Sequence, residues 1–129
     1  MELPLILNNI DPVEREKKVT QAIEWVGLNE KRNSRPADMS GGECQRTAIA
    51  RAIVHEPSLL LADEPTANLD AENSHNIMNI LSKLNSEIST SFVFATHDEK
   101  IMGYLRRILH LEDGKIVEDE KIDHPKFGE

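Results

Sequence analysis

The sequence has a single cysteine, Cys44, in 129 residues. A lone thiol excludes an internal disulfide and fits a reducing compartment. No CxxC pair and no HExxH is present, and these are spacings that tetrahedral zinc sites use, so a structural zinc is not expected. No apolar run approaches the length of a membrane span, and the opening MELPLILNNIDP lacks the basic start of a secretory signal. Basic residues are also scarce, with 15 Lys and Arg against 23 Asp and Glu for a net charge of −8. Nucleic acids and anionic membranes are gripped through clustered Lys and Arg, and the chain has no such cluster. We therefore expect no nucleic-acid partner, no direct membrane insertion and a cytosolic location.

What is present reads as an α/β domain. Apolar residues make up 39% and charged residues 29%, and the chain is long enough to bury a core. LPLILNNI (3–10) is a short apolar stretch closed by Asp11-Pro12. Asp11 then caps a helix with Pro12 at its first position and Glu14 three residues after the cap, and Gly27 is placed to end it. Residues 28–39 are polar and irregular. A second helix is expected from 41 to 55, stopped by Pro57. SLLLADEP follows, too short for a helix and bounded by prolines, and reads as a strand (58–62) buried on both faces. Asp70 caps a third helix, SFVFATHD supplies a second strand (91–96), a helical piece lies near 98–105, and Asp113-Gly114 between apolar runs makes a hairpin. Strand, helix and strand with short connections form a βαβ unit with parallel strands. We divide the chain into a helical part, 1–56, and a strand-bearing part, 57–129.

Three short stretches carry chemistry. In MSGGECQR, Ser40 and Glu43 have capping-box spacing, and the side-chain-free Gly41 and Gly42 leave the three first-turn amides of Gly41, Gly42 and Glu43 uncovered, as an anion at a helix start requires. Taken alone, SGGE is more often a cap with nothing bound. Asp63-Glu64 ends the first strand and His97-Asp98 follows the second, which brings them to one rim of a parallel sheet. A hard cation takes oxygen ligands and keeps waters, while a second carboxylate can accept a proton from an attacking water. Alone, Asp-Glu is equally a solvated turn. The remaining histidines, His55, His75, His110 and His124, are assigned no role.

In order and spacing, these stretches resemble ATP-binding cassette (ABC) transporter ATPases. MSGGECQRTAIARAIVHEPSLLLADEPTANLD (39–70) is similar to their signature-to-D-loop block, SFVFATHD to their switch-histidine strand, and LEDGKIVED to the hairpin after it. The wording ELPLIL and ADEPTANLD is most similar to the branch serving lipoprotein release and macrolide export. The resemblance implies part of a P-loop NTPase core using ATP and Mg2+. It implies that Ser40, Gly41, Gly42 and Glu43 meet the γ-phosphate of an ATP held by the opposite subunit of a head-to-tail homodimer. It implies that Asp63 holds magnesium through water, that Glu64 activates the hydrolytic water and that His97 steadies the γ-phosphate. Asn68, Leu69 and Asp70 become the D-loop at the dimer interface, and a transmembrane permease docks on the helical part, placing the protein on the inner face of the cell membrane. Glu43 stands where many family members have Gln. Cys44 takes a position usually filled by a polar residue and is read as packing or rim, without a redox role.

The resemblance also exposes a gap. No GxxxxGK[ST] loop, no adenine-stacking aromatic and no glutamine loop is present, and Lys83 lies in ILSKLNSE with no glycine loop before it. The expectation is therefore a C-terminal portion of a cassette that does not hydrolyse ATP by itself, with residues 91–96 left as an apolar edge open to strand addition. The alternative is a non-catalytic interaction module derived from such an ATPase. Retention of Asp63, Glu64 and His97 together argues against it, because only the chemistry needs all three. A DNA-repair or translation ATPase is disfavoured by the acidic charge and the lack of long heptad arms.

Overall fold

The computed structural model describes residues 1–123, so His124 lies outside the described residues. The chain forms two compact units, Met1–Thr96 and a second from His97 onward. The boundary expected at 56/57 falls inside the first.

The first unit opens with α1 (Leu3–Leu7), a five-residue helix. The short apolar stretch is thus helical over these residues, and it buries Leu5 while Leu3 and Leu7 remain exposed. α2 (Pro12–Trp25) starts as expected: the Asp11 side chain accepts from the Val13 N–H, and Pro12 fills a position that needs no donor. Its end is a Schellman motif around Gly27, whose φ of +67° suits glycine. Leu28 N–H bonds to Ile23 O at 3.0 Å and Gly27 N–H to Glu24 O at 3.1 Å, which satisfies the last carbonyls. Two 3-10 turns, Asn29–Lys31 and Pro36–Asp38, carry the chain to α3 (Gly41–Ile53). That helix stops two residues sooner than expected, because the chain must turn through Glu56 at φ +52° ahead of Pro57.

β1 (Leu59–Asp63), α4 (Ala71–Glu87) and β2 (Ser91–Ala95) form the strand-helix-strand unit. β1 and β2 pair in parallel with Leu59 opposite Ser91 and Asp63 opposite Ala95, as expected. Burial on both faces is not what the structure shows. Leu60 is buried, and Phe92 and Phe94, which meet edge to face, are half-buried on one side. Leu59, Leu61 and Val93 are 51%, 72% and 52% exposed on the other. The cause is layering: a continuous apolar run is written for a sheet covered on both sides, and the described residues cover one. The second edge of β2 has no strand partner among the described residues.

The core of this unit joins Val19, Ala22, Ile23 and Val26 of α2 and its cap, Ile49, Ala50 and Ile53 of α3, and Ile77, Met78, Leu81 and Leu84 of α4. α3 packs against both α2 and α4. Each fully buried Leu or Ile contributes about 1.5–3 kcal/mol. Lys83 lies on the exposed face of α4, 3.8 Å from Glu87 one turn on.

In the second unit Asp98 caps the short α5 (Glu99–Met102) through the Lys100 N–H. β3 (Arg107–Glu112) and β4 (Lys115–Lys121) form an antiparallel hairpin with a bulge after His110. Its two-residue turn, Asp113 at φ +47° and Gly114 at +75°, has the positive angles that match the twist of paired strands. Arg107 forks onto Asp119 at 2.8 and 2.7 Å and holds that carboxyl below its usual range. No helix among the described residues is long and apolar enough to cross a membrane.

Candidate functional site

Parallel pairing places the carboxyl ends of β1 and β2 on one rim, with Asp63, Glu64 and Thr96 together. Asp63 is exposed at the last residue of β1. Glu64 leaves the strand at φ +45°, a left-handed conformation that costs a non-glycine residue roughly 1–3 kcal/mol and is kept only where neighbours enforce it. Here the Glu64 N–H bonds to Ala95 O at 2.8 Å, its carbonyl accepts from the Ala67 N–H at 3.0 Å, and Thr96 Oγ1 donates to Glu64 Oε2 at 3.2 Å. The carboxylate is thereby aimed by the neighbouring strand, and Glu64 is partly buried. Sequence reasoning missed Thr96: its place beside Glu64 depends on strand register.

Ser40 is exposed at the start of α3, and the capping box is complete. Ser40 Oγ accepts from the Glu43 N–H at 3.2 Å, and Glu43 Oε2 accepts from the Ser40 N–H at 2.9 Å. The expectation of three uncovered amides is therefore corrected for Glu43, whose N–H is taken by the cap. No residue among those described accepts from the Gly41 or Gly42 N–H. Gly41 is exposed, but Gly42 is buried against Asn73 of α4.

The Ser40 N–H bond, opposed by partial burial and helped by the charges of Lys31 and Arg46, holds the Glu43 carboxyl below its ordinary value. A depressed carboxyl stabilises the fold above the pKa of its unfolded form, and that contribution disappears as pH falls through the folded value. Ser40→Ala is expected to cost about 1 kcal/mol at neutral pH in urea unfolding. Glu43→Gln should remove the part of the acid destabilisation that arises below the ordinary glutamate range.

Three further contacts knit the site. Gln45 Nε2 donates to Pro65 O at 2.7 Å, tying α3 to the residue after Glu64. Asn68 takes φ +62°, a conformation asparagine tolerates, as the chain turns toward Leu69 and Asp70. Asp70 caps α4 by accepting from the Asn73 N–H at 2.8 Å, and Leu69 lies within contact distance of the Gly41 position. The first unit therefore brings Ser40, Gly41 and Gly42 beside Leu69 and Asp70, and links that group to Glu64 through Gln45. His97 is exposed and opens the second unit. Cys44 is half-buried, its Sγ 3.7 Å from Pro36 O.

Comparison with known proteins decides the family. The family model described as ABC transporter matches residues 3–67, half of the chain. This chain belongs to the ABC transporter family. Among solved structures, the ABC cassette MJ0796 in a dimeric post-hydrolysis state bound to ADP and Pi is 39% identical, with a TM-score of 0.76. A second dimeric structure of MJ0796, a bacterial ABC transporter cassette, is also 39% identical and scores 0.77. CbiO1 of Clostridium perfringens, part of the ABC transporter complex cbiONQ, is 27% identical and scores 0.86. Each match covers 93% of this ABC chain, which spans only about half of those proteins, 53% of each MJ0796 chain and 48% of CbiO1. Family membership, the mixed α/β fold and the parallel strand pair all stand as the motifs led us to expect.

Among the described residues no three His, Cys, Asp or Glu side chains gather as a metal cluster. The rim of this ABC chain instead offers exposed Asp63 with partly buried Glu64 beside it, an oxygen-only donor set. That set fits magnesium, which takes one or two carboxylates and completes its shell with water and substrate phosphates.

Proposed function

We propose that the chain is the C-terminal part of a transporter ATPase, supplying the water-activating carboxylate and the lid that closes over a nucleotide held by a second subunit. The observation that carries this reading is the join between its two halves. Within one folded unit, the rim with Asp63 and Glu64 is tied through Gln45 to the helix whose capped, glycine-bearing start is exposed.

In this reading Asp63 holds Mg2+ through water, and the ion, when bound, offsets phosphate charge. Glu64, steadied by Thr96, takes the proton from the attacking water. His97 contacts the γ-phosphate and the water. Ser40, Gly41 and Gly42 approach the γ-phosphate of an ATP on the opposite subunit, with Glu43 locking the turn, while Asn68, Leu69 and Asp70 cross the interface of a head-to-tail homodimer. Residues 1–56 carry the surface for a transmembrane permease, and the assembly lies peripherally on the inner face of the cell membrane. The motif wording favours coupling of hydrolysis to export or lipoprotein release. The chain alone has no phosphate-gripping loop and is inactive.

The test is a chimera in which residues 1–129 replace the matching part of the MJ0796 cassette. ATP turnover by the chimera supports the reading. A chimera that folds and binds ATP but does not hydrolyse it refutes the roles of Glu64 and His97.

A further inference from the structure

The two glycines of the turn at residues 40–42 are not equivalent within the chain. A Cβ added to Gly41 would meet Leu69 Cδ2 at 3.8 Å, an ordinary contact. A Cβ added to Gly42 would lie 2.4 Å from Asn73 Oδ1 and 2.9 Å from its Cγ, closer than packed atoms allow. An amide at the end of a free side chain could swing aside, but this one is held. Asn73 Nδ2 donates to both Asp70 oxygens at 3.0 Å, while the Asn73 N–H donates to Asp70 Oδ1 at 2.8 Å. Flipping the amide would turn its oxygen onto the carboxylate, so the orientation with Oδ1 toward Gly42 is set by chemistry.

We propose that Asn73 is a positioning residue: clamped by Asp70, it sets the path of the turn at Gly42 and couples the start of α4 to the start of α3. Glycine is needed at position 42 because of Asn73, inside the chain. At position 41 the chain has room for a side chain, so any requirement for glycine there comes from something outside it. A displacement of Asp70 moves Asn73, and with it the turn. The functional meaning of that coupling rests on the reading of residues 40–42 and 68–70 given above, but the contact itself does not.

The experiment therefore reads the 129-residue chain without nucleotide. Asn73→Asp keeps the shape of the side chain but cannot donate to Asp70 when ionised. It should shift the amide resonances of Gly41, Gly42 and Glu43 while those of α2 stay in place, a local response that a general loss of stability would not produce. Adding Asp70→Asn, which exchanges donor and acceptor, should return them toward their starting positions. In thermal unfolding Gly42→Ala should lower the midpoint by about 5 °C, and Asn73→Ala in the same chain should recover most of that loss, since the remaining Asn73 Cβ contact is 3.5 Å. Gly41→Ala should not lower the midpoint, because alanine suits a helix better than glycine. The proposal is overturned if Asn73→Asp leaves the Gly42 resonance unmoved. It is equally overturned if the losses from Gly42→Ala and Asn73→Ala simply add.

Discussion

Glu64→Gln, introduced into the chimeric cassette, is expected to lower ATP turnover by about 10²–10⁴-fold, the usual contribution of a positioned general base. Glutamine keeps the size of the side chain and still accepts from Thr96 Oγ1, so the turn at Glu64 should fold as before. What it loses is the ability to take a proton from water. Nucleotide binding depends on other groups, so affinity for ATP should change little while turnover collapses. The variant should accumulate with ATP bound, as judged by chasing labelled nucleotide from the closed form. A loss of affinity equal to the loss of rate would instead mark Glu64 as a binding group, and unchanged turnover would remove it from the mechanism. The Thr96 contact sharpens the measurement. If Thr96 aims the carboxylate, Thr96→Val should lower turnover in the same direction by a smaller factor, with its effect absent in the Glu64→Gln background.

The second large effect concerns the chain by itself. Nucleoside triphosphates are held in P-loop enzymes by loop amides and a lysine around the β- and γ-phosphates, and this sequence contains no such segment. Charge-assisted hydrogen bonds contribute roughly 1.5–3 kcal/mol each, so four of them supply about 6–12 kcal/mol, or at least about four decades of affinity. The purified 129-residue chain should therefore bind ATP at least ~10⁴-fold more weakly than the chimera by calorimetry or equilibrium dialysis, and show no Mg2+-dependent hydrolysis. Tight binding, or turnover that Glu64→Gln abolishes, would overturn this prediction and require a phosphate site that the described residues do not reveal. The two experiments are complementary, because one removes chemistry from a site that binds and the other removes binding from a site that keeps its carboxylates.

Much of this molecule was legible before its structure, and the reason is local physics. Asp11-Pro12 at the start of α2, Gly27 at its end, the Ser40–Glu43 box and the Asp113-Gly114 turn are all decided by backbone angles and hydrogen bonds within a few residues. Local signals of that kind survive any tertiary arrangement. The parallel pairing of β1 and β2 followed from the connection between them, and the order of the motifs carried the family. Residue type and spacing thus determined the longer helices and the strands, their succession and the candidate chemistry.

Only the fold decided how those parts meet. A run such as SLLLAD reports that its side chains are apolar but not how many layers cover them, and Leu61 is left 72% exposed. Glu64 looks in sequence like the residue after a strand, whereas its left-handed backbone and its bond from Thr96 require the register of two strands 32 residues apart. Gly41 and Gly42 are identical as letters. They become different because Asn73, 31 positions beyond Gly42 and pinned by Asp70, reaches one of them and not the other. Short-range hydrogen bonds and torsions are written in neighbouring residues, while steric exclusion and shared rims arise only when distant segments are brought into contact.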